Sequence, residues 1–249
     1  KLMAARGALR IGAGLVTVGC PSAALAENAA RLDAIMLRPV EDSDALADVL
    51  KDVRLNAILI GPGHGGGATT SEMVLTALEA RRPTVLDADA LTAFAGDREL
   101  LFEALHEDCV LTPHAGEFAR LFPEAHAMLS EPATRGPAHS KVDTARSAAR
   151  RAGCTVLYKG ADTVIADQTG VASVNAAQDE RAAPWLATAG AGDVLAGFIT
   201  GLLARGFPPK KAAETAAWLH VECARRFGPG LIAEDLPEEL PAVFRDLGV

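Results

Sequence analysis

The chain is short of positive charge. Its 249 residues carry 24 Lys and Arg against 32 Asp and Glu, a formal net charge of −8. No nucleic-acid or anionic-membrane partner is expected, because both need a positive field. An anionic ligand must instead be held by local N–H groups. No run of about 18 uncharged apolar residues occurs, so no membrane-spanning helix is expected, and no signal peptide is recognisable. The four cysteines, Cys20, Cys109, Cys154 and Cys223, have no C-x-x-C spacing. Three lie in or beside apolar runs, so reduced core thiols in a cytoplasmic setting are expected rather than disulfides. Aromatics make up only 4 %, but hydrophobic residues reach 49 %, enough for one large domain or two small ones. No internal repeat is present. The sequence does not begin with Met, and Leu2, Met3, Ala5 and Leu9 already follow a helical pattern. A segment upstream of Lys1 is therefore expected.

The most informative stretch is Leu186-Ala187-Thr188-Ala189-Gly190-Ala191-Gly192-Asp193-Val194-Leu195-Ala196-Gly197. Glycines and small residues run into a segment in which Val194, Leu195, Phe198, Ile199, Leu202 and Leu203 share one helical face. A flexible loop thus opens a buried helix with an acid at the junction. First-turn N–H groups lack internal partners and favour negative charge, and small residues let a phosphate approach them. An acid beside a phosphate cradle makes sense if Asp193 takes a proton from a hydroxyl while the N–H groups of Ala189, Gly190, Ala191 and Gly192 hold the transferring phosphoryl. Alternatively, Asp193 only complements the helix dipole and the glycines make a tight turn.

Short Val/Ile/Leu runs alternate with helical patterns. Strands are predicted at Leu15–Val18, Ala34–Leu37, Ala57–Ile60, Thr84–Leu86, Cys109–Leu111, Thr155–Leu157, Thr163–Ala166 and Val171–Val174. Helices are predicted at Ser43–Lys51, Thr70–Ala80, Pro113–Leu121, Ser140–Ala152, Asp193–Arg205 and Pro208–Phe227. The alternation predicts an α/β fold with a doubly wound, mostly parallel sheet. Asp167-Gln168-Thr169-Gly170 between the last two strands reads as a hairpin, hence an antiparallel edge. Pro123–Ser140 reads as one long loop, a candidate lid. One domain over 1–249, incomplete at its N-terminus, is expected.

In open α/β sheets, ligands lie beyond the carboxyl ends of the strands. Ile60 leads into Gly61-Pro62-Gly63-His64-Gly65-Gly66-Gly67, either a close backbone approach to a ligand or a mobile loop. Leu86 leads into Asp87-Ala88-Asp89, two acids that can bind Mg²⁺ through water or cap the next helix. Leu111 leads into Thr112-Pro113-His114-Ala115-Gly116-Glu117. There Thr112 is a good N-cap, Pro113 a good first helical residue, and His114 falls in the first turn. Tyr158 leads into Lys159-Gly160-Ala161-Asp162-Thr163, where Lys159 can meet a phosphate as a point charge or stand solvated before the hairpin.

These stretches resemble the ADP/ATP-dependent NAD(P)H-hydrate dehydratases, which have a ribokinase-like fold. The match takes in Arg10–Val18, Gly61-Pro62-Gly63, Leu86–Leu91, Leu111–Phe118, Lys159–Thr163 and Ala187–Gly197, in family order over nearly the whole chain. Gly-x-Gly-Asp alone is shared with many kinases of that fold, whereas the Thr-Pro-His-x-Gly-Glu and Leu-Asp-Ala-Asp-Ala-Leu stretches are more specific. The resemblance implies repair of hydrated NADH or NADPH. A nucleotide phosphorylates the ring hydroxyl, phosphate leaves, and the ring double bond returns. It implies ADP or ATP as donor, Mg²⁺ on the nucleotide phosphates and no metal held by protein ligands alone. Asp193 is then the base and Ala189–Gly192 the anion hole. Lys159, Gly160, Ala161, Asp162, Thr163 and Gly192 line the nucleotide pocket, while Gly63, His114 and Asp193 contact the substrate. A homo-oligomer and an upstream epimerase domain also fit the resemblance. Two departures stand out. An earlier strand, Gly-rich loop and Gly-Ala pair would precede Lys1, and an Asn-x-x-Gly-Asn-Pro stretch is replaced after Asn175. The alternatives are a vitamin-precursor or sugar kinase of the same fold, or a nucleotide-binding relative without turnover.

Overall fold

A computed structural model describes residues 1–131 and 136–249. In chain order the elements are α1 (Leu2–Arg10), β1 (Thr17–Cys20), α2 (Leu25–Ala29), β2 (Met36–Pro39), α3 (Ser43–Val49), β3 (Ile58–Ile60), α4 (Ala68–Glu79), β4 (Thr84–Leu86), α5 (Asp89–Thr92) and α6 (Arg98–Ala104). They continue with β5 (Cys109–Leu111), α7 (Ala115–Leu121), α8 (Pro123–Ala127), α9 (Lys141–Ala152), β6 (Thr155–Tyr158), β7 (Asp162–Ala166), β8 (Ala172–Ala176), α10 (Ala191–Ala204), α11 (Pro209–Phe227) and α12 (Asp235–Asp246). All eight predicted strands form, with β1 and β2 two residues further along than expected.

Six strands pair in the order β3-β4-β5-β6-β7-β8, and β1 with β2 form a separate parallel pair. The steps from β3 to β6 are parallel. Those from β6 to β8 are antiparallel, as the hairpin signal predicted. The hairpin turn is tied by Asp167, whose Oδ1 accepts from Thr169 N–H at 3.0 Å and Val171 N–H at 3.1 Å. Strand order runs one way without reversal, and right-handed crossovers then place their helices on one face. Ile60, Leu86, Leu111, Val156 and Val164 pack on that face with Val74, Leu78, Leu101 and Ala148. The intervening Val85, Val110, Leu157 and Ile165 point the other way, onto Leu195, Ile199, Ala213 and Ala216 of α10 and α11. The sheet is therefore covered on both faces, and its parallel strands β3 to β6 are largely apolar and buried.

Helix α1 lies along α10 at unusually close range. A Cβ on Gly201 would stand 2.7 Å from the Ala8 carbonyl oxygen, and one on Gly197 would overlap that of Ala4. Only glycine permits this approach. The long-loop reading of Pro123–Ser140 is corrected. Pro123 opens α8 as a first-turn proline, and Met128–Ser130 form a 3-10 turn. Pro132 and its three successors lie outside the described residues. Five helices escaped the sequence reading: α2, α5, α6, α8 and α12. Helix α12 carries Pro237 in its first turn and Pro241 inside, which masked its Leu236, Leu240, Val243 stripe. All four cysteines are buried free thiols, as expected. Among the described residues no helix is long and apolar enough to cross a membrane.

Candidate active site

The parallel strands end along one edge, where each strand's chain makes one further bond to its neighbour. Asp87 N–H donates to Ile60 O at 3.2 Å, Thr112 N–H to Leu86 O at 3.1 Å, and Lys159 N–H to Pro113 O at 2.9 Å. Asp87, Thr112 and Lys159 are thereby set side by side. The Thr112 hydroxyl donates to Asp87 Oδ1 at 2.8 Å, and Lys159 Nζ reaches the same oxygen at 2.8 Å. Glu117 Oε2 lies 3.9 Å from Lys159 Nζ. Asp87 is 1 % exposed, and these partners offset the cost of burying its polar side chain. The solvated alternative for Lys159 is thus replaced by a partly buried ion pair.

Two backbone features bring the neighbouring loops in. Gly61 has φ +136°, and a Cβ there would overlap the Asp87 carbonyl oxygen. The β3 loop can therefore lie directly on the β4 loop. Ala88, a non-glycine residue, sits at φ 50° and ψ −118° between the two acids. Strain of this kind persists only where the surroundings over-determine it. Asp89 accepts from Gly65 N–H at 2.8 Å, tying the glycine loop down. Gly63 has φ +71° and open space beside its Cα.

His114 differs from its expected place. Thr112 does not cap α7, because its hydroxyl is spent on Asp87. His114 is itself the N-cap, its Nδ1 accepting from Gly116 N–H at 3.0 Å and Glu117 N–H at 3.3 Å. Glu117 returns the bond to His114 N–H at 2.8 Å, which closes a capping box. The ring remains 56 % exposed at the strand-end edge, with Nε2 3.3 Å from Oε1 of the buried Glu117.

Helix α10 points its N-terminus at this edge. Gly190 precedes it at φ +90°, against Met3 and Ala233. Ala191 N–H meets Thr188 O at 3.4 Å, whereas Ala189, Gly190, Gly192 and Asp193 N–H have no partner among the described residues. Asp193, in the first turn, is partly exposed, with Oδ2 3.3 Å from the main-chain nitrogen of Lys1. Lys159 Nζ stands 3.5 Å from where a Gly192 Cβ would be. Asp193, the open amides and Lys159 therefore share one rim.

The Lys159–Thr163 turn is closed largely on itself. Gly160 N–H donates to Thr163 Oγ1 at 3.3 Å, and that hydroxyl donates to Gly160 O at 2.9 Å. Asp162 Oδ1 is held by Lys141 Nζ at 3.0 Å. His220 on α11 was not singled out in the sequence. Buried beneath the start of α10, it meets Ala191 O at 2.9 Å. A lone histidine in an apolar helix carries no sequence signal of that contact.

Among the described residues no three His, Cys, Asp or Glu side chains converge on one metal position. Asp87 and Glu117, both beside Lys159, fit a Mg²⁺ only if a ligand's phosphates supply further oxygens.

The fold is that of the ribokinase-like α/β proteins. A ribokinase-like superfamily protein from Enterococcus faecalis superposes with TM-score 0.78 at 23 % identity, over 98 % of this chain and 81 % of that one. More narrowly, the chain belongs to the NAD(P)H-hydrate dehydratase family, whose sequence model matches residues 1–241. It is 36 % identical over 98 % of its length to the bifunctional NAD(P)H-hydrate repair enzyme Nnr of Moorella thermoacetica, and covers 46 % of that protein. The chain thus spans about half the length of the curated relatives it matches. The ADP/ATP-dependent NAD(P)H-hydrate dehydratase of Bacillus subtilis, co-crystallized with ATP/Mg²⁺, superposes with TM-score 0.76 at 27 % identity, over 98 % of this chain and 83 % of that one.

Proposed function

We propose that this chain dehydrates hydrated NADH or NADPH back to the reduced cofactor, using ADP or ATP. The observation that carries the reading is the N-terminus of α10. Its unpaired amides and Asp193 share a rim with Lys159. Asp193 accepts the proton of the ring hydroxyl, whose oxygen bonds to the terminal phosphorus of the nucleotide as the bridging P–O bond breaks. The Ala189, Gly190 and Gly192 amides and Lys159 offset the charge on the transferring phosphoryl. Phosphate then leaves the ring carbon, the ring nitrogen supplies the electron pair, and a proton departs the adjacent carbon to restore the double bond. Phosphate is a far better leaving group than hydroxide.

Gly63 and His114 face the substrate from the β3 and β5 ends, and Lys159–Thr163 with Gly192 face the nucleotide. Asp87 and Glu117 are the residues that would hold Mg²⁺ jointly with the nucleotide. Bound there, the ion would neutralise charge on the phosphate oxygens. An epimerase activity elsewhere in a longer parent chain would match the bifunctional relatives.

The test supplies hydrated NADH with ADP or ATP and follows return of the reduced-nicotinamide absorbance. Asp193→Asn is expected to lower turnover about 10²- to 10⁴-fold with nucleotide affinity kept. Retained turnover in that variant would remove Asp193 as the base. A stable phosphorylated alcohol with no recovery of NADH would make the chain a kinase of the same fold.

A further inference from the structure

His220 is buried on α11, with its ring edge-on to Phe198 of α10 at a centroid distance of 6.2 Å. Its Nε2 is 2.9 Å from the Ala191 carbonyl oxygen. A carbonyl only accepts, so Nε2 carries the proton. Burial pushes the ring down to about 4, with the Lys159 charge acting in the same direction. The ring is therefore neutral at ordinary pH. The Ala191 carbonyl and the Gly192 N–H belong to one planar peptide unit and point in opposite directions. That unit joins Ala191, the first residue of α10, to Gly192, and Gly190 before it has φ +90°. With glycine on its far side, its rotation is less hindered by local sterics than elsewhere in the helix. Turned over, the unit would aim a carbonyl at the rim where an anion must sit.

We infer that His220 is a positioning residue: by holding the Ala191 carbonyl it locks the Ala191–Gly192 peptide so that the Gly192 N–H faces the transferring phosphoryl. The inference rests on reading the start of α10 as the phosphoryl cradle. His220 touches neither substrate nor nucleotide. Its contribution is made in the transition state, when charge on the phosphoryl oxygens needs a fixed donor. Loss of the lock should lower kcat more than it weakens nucleotide binding.

Gln and Asn differ in reach. The amide nitrogen of Gln falls near the place of Nε2, and that of Asn near Nδ1. Turnover of hydrated NADH with ADP or ATP is measured for wild type, His220→Gln, His220→Asn, His220→Phe, Phe198→Leu and Asp193→Asn. The expected result is kcat down tenfold or more in the Asn and Phe variants, with nucleotide KM changed less than threefold. His220→Gln should recover most of the loss, and Phe198→Leu, which disturbs packing but not the donor, should stay within threefold of wild type. Equal kcat in the Gln and Asn variants would overturn the inference. So would a Phe198→Leu loss as large as that of His220→Phe, or failure of all three His220 variants to fold. The cradle reading itself fails separately, if Asp193→Asn turns over normally.

Discussion

At Gly61 a single hydrogen stands where any side chain would overlap the Asp87 carbonyl, and φ is +136°. Gly61→Ala adds backbone strain to overpacking, each about 1–3 kcal/mol. A loss of about 3 kcal/mol in urea unfolding is expected, with activity falling as Asp87 is displaced. An unchanged midpoint would show that the two loops separate freely. Lys159 poses the converse case, since removing its ammonium leaves Asp87 buried with only the Thr112 hydroxyl. Lys159→Met is expected to cost about 3 kcal/mol, and the loss should shrink in the double variant with Asp87→Asn. The sequence displayed the residue types of this cluster but not their pairings. Asp87 and Lys159 are far apart in the chain, and only the register of β4, β5 and β6 brings them together. For His114 the cap was read one turn of logic early, because a proline after Thr112 looks like a helix start whether or not the threonine is engaged elsewhere.

Among the elements, strands were more legible than helices. A buried parallel strand is an apolar run, which made β3 to β6 visible, and the turn signal at Asp167–Gly170 made the β7–β8 hairpin visible. Helices α2, α5 and α8 have only four or five residues, too short to show a period, α6 was missed although it is no shorter than α3, and the prolines of α12 look like breakers although its first-turn Pro237 needs no N–H. Close packing of α1 on α10 is likewise invisible without the partner helix. Gly197→Ala tests that seam. Alanine gains about 1 kcal/mol of helix propensity, but its methyl would meet the Ala4 carbonyl, which is backbone and cannot rotate aside. Overpacking of about 1–3 kcal/mol or more should win. A lower melting temperature is expected, together with reduced turnover, since the start of α1 abuts Asp193. A raised melting temperature would mean that α1 shifts at no cost.

At the scale of the molecule, acid sensitivity should begin above the carboxylate range. His220 is held at about 4 in the folded state against an ordinary value of 6.5. Between these values the unfolded chain binds a proton that the native chain does not, so stability is full above pH 6.5 and falls as pH drops toward 4. The gap corresponds to about 3 kcal/mol. Glu214, pulled down to about 2 by Lys210, Lys211 and Ser173 against its own burial, extends the loss to lower pH. Urea midpoints at pH 7 and pH 5 are expected to differ, and the difference should shrink in His220→Phe. A flat profile over that interval would place the ring in water.

The sheet's two faces are closed by different stretches of chain. One is covered by helices threaded between its own strands, the other by α10 and α11, with α1 outside them. A ribosome delivers the first cover strand by strand, but leaves Val85, Val110, Leu157 and Ile165 naked until α10 and α11 emerge. Helix α1, synthesised ahead of the sheet, has no α10 to settle on before then. A nascent or truncated chain ending ahead of Ala191 therefore presents a greasy plane, and should be a preferred client of chaperones and a nucleus for aggregation.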